Sequence, residues 1–191
     1  ELQAIADVAH KYDMPLFVDG ARLGYALTAT GSDMTLTDLA TIADVFYIGG
    51  TKVGALFGEA VVFTKHNTPK HFLTLIKQHG ALLAKGRLLG VQFDTLFTDD
   101  LYGEVGRTAA AAAGELRRIL REAGCTFFRE SPTNQQFVVL DNAQVEALAE
   151  RVRFSTWEKL GDGRTVIRLV TSWSTTPNDL AALKAALHDV M

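Results

Sequence analysis

The sequence holds a single cysteine, Cys125, so no disulfide can close within the chain. Its five histidines are scattered, none at a spacing that would hold zinc, and no metal site is expected. No apolar run approaches the roughly 20 residues that a membrane helix needs. The first residues, ELQAIADVAHKYDMP, also lack the charged-then-apolar order of a signal peptide. The expectation is therefore an unexported chain with no membrane partner, in a reducing, cytoplasmic setting. Basic residues are dispersed and the net charge is −3, so there is no basic face for nucleic acid. An initiating Met is missing as well. The chain opens inside a helical pattern, with Leu2, Ile5, Ala6 and Ala9 on one face, and is expected to start in the middle of a protein.

What is present is ordinary globular composition, 48% hydrophobic and 21% charged, enough for one large domain or two small ones. After the first helix, Pro15 breaks the pattern, and LFV followed by DG reads as a short buried strand ending in a turn. TLTDLATIA, Thr35 to Ala43, reads as a helix capped by Thr35, leading into a second buried strand in DVFYIGG. A helix between two strands implies a crossover and parallel pairing. The run EAVVFT follows after a loop too short for another crossover helix, so it should pair antiparallel or change its place in the sheet.

From Pro69 to about Leu101 the pattern is helical, interrupted by Gly80, Gly86 and Gly90. Each glycine is unfavourable in a helix by roughly 1 kcal/mol, and close packing against another helix or subunit is one reason to keep them. A helix from about Glu104 to Ala123 carries TAAAAAG, an interface or a helix filler, and ends at Gly124, a C-cap. Beyond it come a strand QQFVVLD, a helix AQVEALAERV, a strand near FSTWEKL, a GDG hairpin turn, a strand TVIRLVTSW and a closing helix from Pro177. These form an α+β unit, giving expected domains of 1–102 and 103–191.

Two residues stand out against this frame. Asp19 sits at the carboxyl end of one buried strand, and Lys52 lies just after the next, a lone amine among glycines in FYIGGTKVGALFGEAVVF. Ligands of open α/β sheets bind at that edge. Taken alone, DG is a turn and Lys52 an exposed loop residue. GGTKVG is not a phosphate loop, because Thr51 precedes the lysine, Val53 follows it and a strand comes next. Taken together, they supply the Schiff-base lysine and the acid beside a ring nitrogen that pyridoxal phosphate needs. Arg168 is a third outlier, a guanidinium in an apolar strand that either serves a partner or alternates out to solvent. His10 and His79 read as surface helix residues and Cys125 as a small apolar filler.

PLFVDGARLGYAL followed by YIGGTKVGALFGEAVVF resembles the aspartate and lysine segments of the pyridoxal-phosphate-dependent aspartate aminotransferase superfamily, fold type I. DGARL with a glycine-rich lysine loop looks like the threonine aldolase and β-eliminating lyase branch. KQHGALLAKGRLLGVQF resembles the segment after the cofactor lysine, and IRLVTSW the small-domain strand whose arginine binds substrate carboxylate. The resemblance covers the whole chain. It implies an α/β fold: the C-terminal part of the large domain, mainly parallel with one antiparallel strand, plus a small α+β domain.

The resemblance also implies that Lys52 is the covalent anchor of pyridoxal phosphate, that Asp19 pairs with its ring nitrogen and that Arg22 touches the cofactor or nearby polar groups. Lys85, or alternatively Arg87, would reach the phosphate of a neighbouring subunit in a homodimer or homotetramer. Arg168 would clamp the substrate α-carboxylate. The implied activity is cleavage of L-threonine or a related β-hydroxy-α-amino acid to glycine and an aldehyde. An aminotransferase, a β-eliminating lyase or a non-catalytic fragment are the alternatives. Where many such aldolases carry histidine, this chain has Ser172. The phosphate loop, the ring that stacks on the cofactor and several strands of the large sheet would precede Glu1.

Overall fold

The computed structural model describes residues 1–191. They divide into two compact units, Glu1–Leu27 with Asp33–Gly103, and Thr28–Ser32 with Glu104–Met191.

In the first unit α1 (Leu2–Lys11) precedes β1 (Phe17–Val18), and α2 (Leu23–Leu27) and α3 (Leu36–Ile42) lead to β2 (Val45–Gly49) and β3 (Glu59–Phe63). The sheet order is β1-β2-β3, with β1 parallel and β3 antiparallel to β2. The expected mainly parallel sheet is thus, in these residues, a mixed one, and β3 is its antiparallel strand. Thr35 starts α3 through a reciprocal capping box: Asp38 N–H donates to Thr35 Oγ1 at 3.1 Å, and Thr35 N–H donates to Asp38 Oδ2 at 2.9 Å. One face of the sheet, through Phe46, packs on Leu23, Leu39 and Ala43.

The first helix departs from its expected face. Ala6 is buried and Leu2 and Ala9 are half-buried, but Ile5 is 56% exposed, outside the stripe by which α1 meets the unit. His10, on the surface as expected, is nevertheless bound: its Nε2 lies 2.7 Å from Asp44 Oδ2, and that oxygen also accepts from Leu16 N–H. This ties α1 to the entrance of β2. The Pro69–Leu101 stretch resolves into α4 (Phe72–Gln78) and α5 (Arg87–Phe97), with Gly80 at φ 68° ending the first. Close packing within the chain is not what keeps Gly80 or Gly90, since a Cβ at either would meet nothing within 4 Å.

The second unit contains α6 (Leu101–Glu122, from Glu104 on), β4 (Thr126–Arg129), β5 (Gln135–Asp141), α7 (Asn142–Ala149), β6 (Ser155–Lys159), β7 (Arg164–Val170) and α8 (Pro177–Val190). Its sheet is antiparallel throughout, in the order β4-β5-β7-β6. Gly124 closes α6 with φ 76°. Ala109 and Ala113, one turn apart in the alanine run, are fully buried, and the Ala109 carbonyl accepts from Thr171 Oγ1 at 2.9 Å. That part of the run is an interface; Ala111 faces out. Leu120, Val138, Leu148, Ile167 and Leu187 form the centre of the core, with Cys125 beside them as filler. The Cys125 thiol is pushed up from its ordinary pKa by burial.

Leu120 is fully buried in this cluster. Truncation there removes transfer energy and leaves a cavity, so Leu120→Ala is expected to destabilise the protein by about 2–5 kcal/mol in urea unfolding, with an unchanged m-value.

Candidate active site

The carboxyl ends of β1 and β2 lie side by side because the two strands are parallel, pairing Phe17 with Val45 and Val18 with Phe46. Beyond β1 the contact continues, Gly49 N–H at the end of β2 donating to the Gly20 carbonyl at 3.0 Å. The approach leaves no room for side chains. A Cβ on Gly20 would stand 1.7 Å from the Tyr47 carbonyl oxygen, and one on Gly49 2.6 Å from the carbonyl oxygens of Gly20 and Ala21. Both glycines are therefore required by contact.

Asp19 occupies the first of these turns. Its Oδ1 accepts from Ala21 N–H at 3.0 Å, the side-chain-to-backbone bond that shapes Asx turns, and also from the Tyr47 hydroxyl. Its Oδ2 makes no hydrogen bond in the chain. The Tyr47 hydroxyl foremost, then the Ala21 N–H, hold the Asp19 carboxyl below its ordinary pKa, and the nearby Lys52 charge acts in the same direction. Asp19 is exposed, so its charged form is also solvated.

Lys52 is the middle residue of a single 3-10 turn, Thr51–Val53, directly after β2. Its main chain is gripped from several directions. The Tyr25 hydroxyl donates to the Lys52 carbonyl, and the Tyr102 hydroxyl donates to the Gly49 carbonyl at 3.2 Å. Glu59 Oε2 accepts from Gly50 N–H at 2.8 Å. Gln92 of α5 accepts from Leu56 N–H at 2.6 Å and donates to the Phe57 carbonyl at 3.3 Å. Burial pushes the Tyr102 hydroxyl up to about 12, so it stays a donor across ordinary pH. By contrast, the half-buried Lys52 side chain makes no hydrogen bond or ion pair.

Of the other residues singled out from sequence, Arg22 lies in the turn before α2, half-buried, with its Nε enclosed and without a partner. Lys85 and Arg87 are exposed, and nothing in the chain engages either side chain. Arg168, in the second unit, is half-buried on β7. Its guanidinium donates to Gln135 Oε1 at 3.2 Å and Ser155 Oγ at 3.3 Å, stands 5.8 Å from the Trp157 ring centre and keeps a buried, unpaired Nε. Ser172 belongs to the turn before α8, its N–H donating to Thr175 Oγ1 at 2.9 Å. Sequence reasoning missed Tyr25, Tyr47, Glu59, Gln92 and Tyr102, which reach the site from separate elements. The one signal for them was Glu59 and Gln92 themselves, polar residues at the rim of apolar patterns.

The family model for beta-eliminating lyases matches residues 1–151. The chain belongs to this family. Two proteins named low specificity L-threonine aldolase align with all of it: one from Pseudomonas aeruginosa at 28% identity over 192 residues, and one from Pseudomonas sp. (strain NCIMB 10558) at 30% over 194 residues. The chain covers 54% and 55% of them, about half the length of these curated relatives. The solved structure of Leishmania major threonine aldolase superposes with a TM-score of 0.93 at 38% identity, covering 99% of this chain and 55% of that one. The α/β fold of this lyase-family chain is that of the pyridoxal-phosphate-dependent fold type I enzymes.

The residues present suit that cofactor. Asp19 Oδ2 is an ionised acceptor with no partner, Lys52 Nζ an amine with no partner, and Arg22 Nε an enclosed donor with no partner. A ring N–H, an aldehyde and an anionic substituent are the complementary groups.

Because Gln92 alone joins the lysine loop to α5 through side-chain hydrogen bonds at Leu56 and Phe57, Gln92→Ala is expected to raise amide hydrogen exchange at residues 54–58 selectively. Equal exchange in wild type and variant would show that the loop does not depend on it.

Proposed function

We propose that this chain is part of a pyridoxal-phosphate-dependent lyase of the threonine aldolase type, cleaving L-threonine or a related β-hydroxy-α-amino acid to glycine and an aldehyde. The observation that carries the reading is the placement of both Asp19 and Lys52 at the carboxyl edge of β1 and β2, one oxygen and the amine left unbonded. The relatives named threonine aldolase support the choice of reaction.

In this reading Lys52 anchors the cofactor covalently through Nζ, and Asp19 accepts from the ring N–H through Oδ2. Arg22 offers its enclosed Nε to the cofactor or to polar groups beside it. Bound pyridoxal phosphate supplies the electron sink for the bond broken at the substrate's Cα. Arg168 takes the α-carboxylate, with Gln135 and Ser155 steadying its guanidinium so that little freedom is lost on binding. Lys85 reaches the phosphate of a neighbouring subunit in a homodimer or homotetramer. Residues 1–102 are the remainder of a large cofactor domain and 103–191 a small domain.

The family description favours one second reading, β-elimination at the same cofactor. The products decide: aldol cleavage of threonine gives glycine and acetaldehyde, whereas elimination gives 2-oxobutanoate and ammonia.

The test uses the protein as its gene encodes it. Wild type is expected to take up pyridoxal phosphate with a visible absorbance band and to release acetaldehyde from threonine; Lys52→Ala should lose the band and about 10³-fold of the rate. A band that persists in Lys52→Ala defeats the assignment. Arg168→Lys keeps the charge but not the planar fork. It is expected to lower kcat/KM by roughly 10- to 100-fold, mainly through KM.

A further inference from the structure

Tyr47 is held at both ends without help from its hydroxyl. Its carbonyl is wedged against Gly20, where a Cβ would not fit, and its ring lies 6.2 Å from that of Phe17 on the neighbouring strand, tilted by 34°. The hydroxyl has one acceptor, Asp19 Oδ1. With Ala21 N–H on the same oxygen, both donors converge on Oδ1 and none on Oδ2. A purely structural tyrosine in this sheet would need only its ring.

We infer that Tyr47 is a positioning residue for the cofactor site, its hydroxyl fixing Asp19 through Oδ1 so that Oδ2 is the oxygen presented to the ring nitrogen. This rests on the reading of Asp19 given above.

The charged and titratable groups around the pair are few. Lys52 acts on Asp19 from the lysine turn, and Glu59 of β3 acts on Tyr47. Asp19 in turn raises the pKa of the Tyr47 hydroxyl, first through their hydrogen bond, so the tyrosine remains the donor. Tyr47 is the largest contribution lowering the Asp19 pKa, so its loss returns the carboxyl toward its ordinary value. The carboxyl then protonates at higher pH, and an O–H replaces the acceptor that the ring N–H requires.

Tyr47→Phe preserves the ring packing and removes only the hydroxyl. In the protein as its gene encodes it, borohydride reduction and mass analysis should still find pyridoxal phosphate on Lys52. Its affinity should fall several-fold, and the acid limb of binding against pH should move upward. A ¹³C-carboxyl titration of Asp19 without cofactor should move in the same direction. Kcat should fall while KM for the amino acid stays unchanged. In the Asp19→Asn background, Tyr47→Phe should add nothing, because the tyrosine acts through Asp19. An unmoved acid limb and carboxyl titration, or full additivity with Asp19→Asn, overturns the role of Tyr47 and leaves the cofactor reading standing. A wild-type protein that takes up no pyridoxal phosphate overturns both.

Discussion

Two segments of main chain pass so closely at Gly20 and Gly49 that neither position can carry a side chain, and the first unit is organised around that contact. Parallel pairing of β1 with β2 brings the turns to one edge, and the Gly49 to Gly20 hydrogen bond extends the pairing past the last residue of β1. Asp19 and Lys52 are then neighbours by construction. The crossover helix α3, set by its capping box at Thr35, fills the face beneath and fixes the direction of β2. Polar chemistry at the edge and apolar packing under the sheet are two results of one strand arrangement.

The site keeps its electrostatics local. Asp19 is exposed, and its carboxylate is held by a hydroxyl and a main-chain N–H, with the lysine charge a lesser influence. The arrangement favours an ionised aspartate without enclosing it, and the two hydrogen bonds outweigh the desolvation that acts the other way. The second unit treats its cation differently. Arg168 is paired with neutral groups, Gln135 and Ser155, and with the face of Trp157, so its charge is oriented without being neutralised.

Much of this framework was legible in the sequence because it depends on short-range pattern. Thr35 and Asp38 announce a helix start, QQFVVLD and TVIRLVTSW are dense enough in β-branched and apolar residues to be strands, and Pro177 with Asp179 opens the last helix. Asp19 and Lys52 were visible because each stands at a pattern break. The side chains that hold them were not. Tyr25, Tyr47 and Tyr102 look like apolar filler until the fold shows where their hydroxyls end, and Gln92 lies on α5, far along the chain from the loop it binds. Ile5 was misplaced for a related reason: helical periodicity marks a stripe but not its covered width. The strand Thr126–Arg129 and the five-residue helix Leu23–Leu27 are too short for periodicity to register.

The hydrogen bonds that hold the lysine turn and its loop all fall on main-chain atoms: the carbonyls of Gly49 and Lys52, the N–H of Gly50, and the backbone of Leu56 and Phe57. The turn is in effect a socket whose shape is independent of what is plugged into it. The side chain rises from a fixed root with no hydrogen bond or ion pair of its own, as an amine that must exchange one bonded partner for another requires. The same separation makes position 52 an unusually forgiving place for a non-native amine or a spectroscopic label, since altering the plug leaves the socket intact.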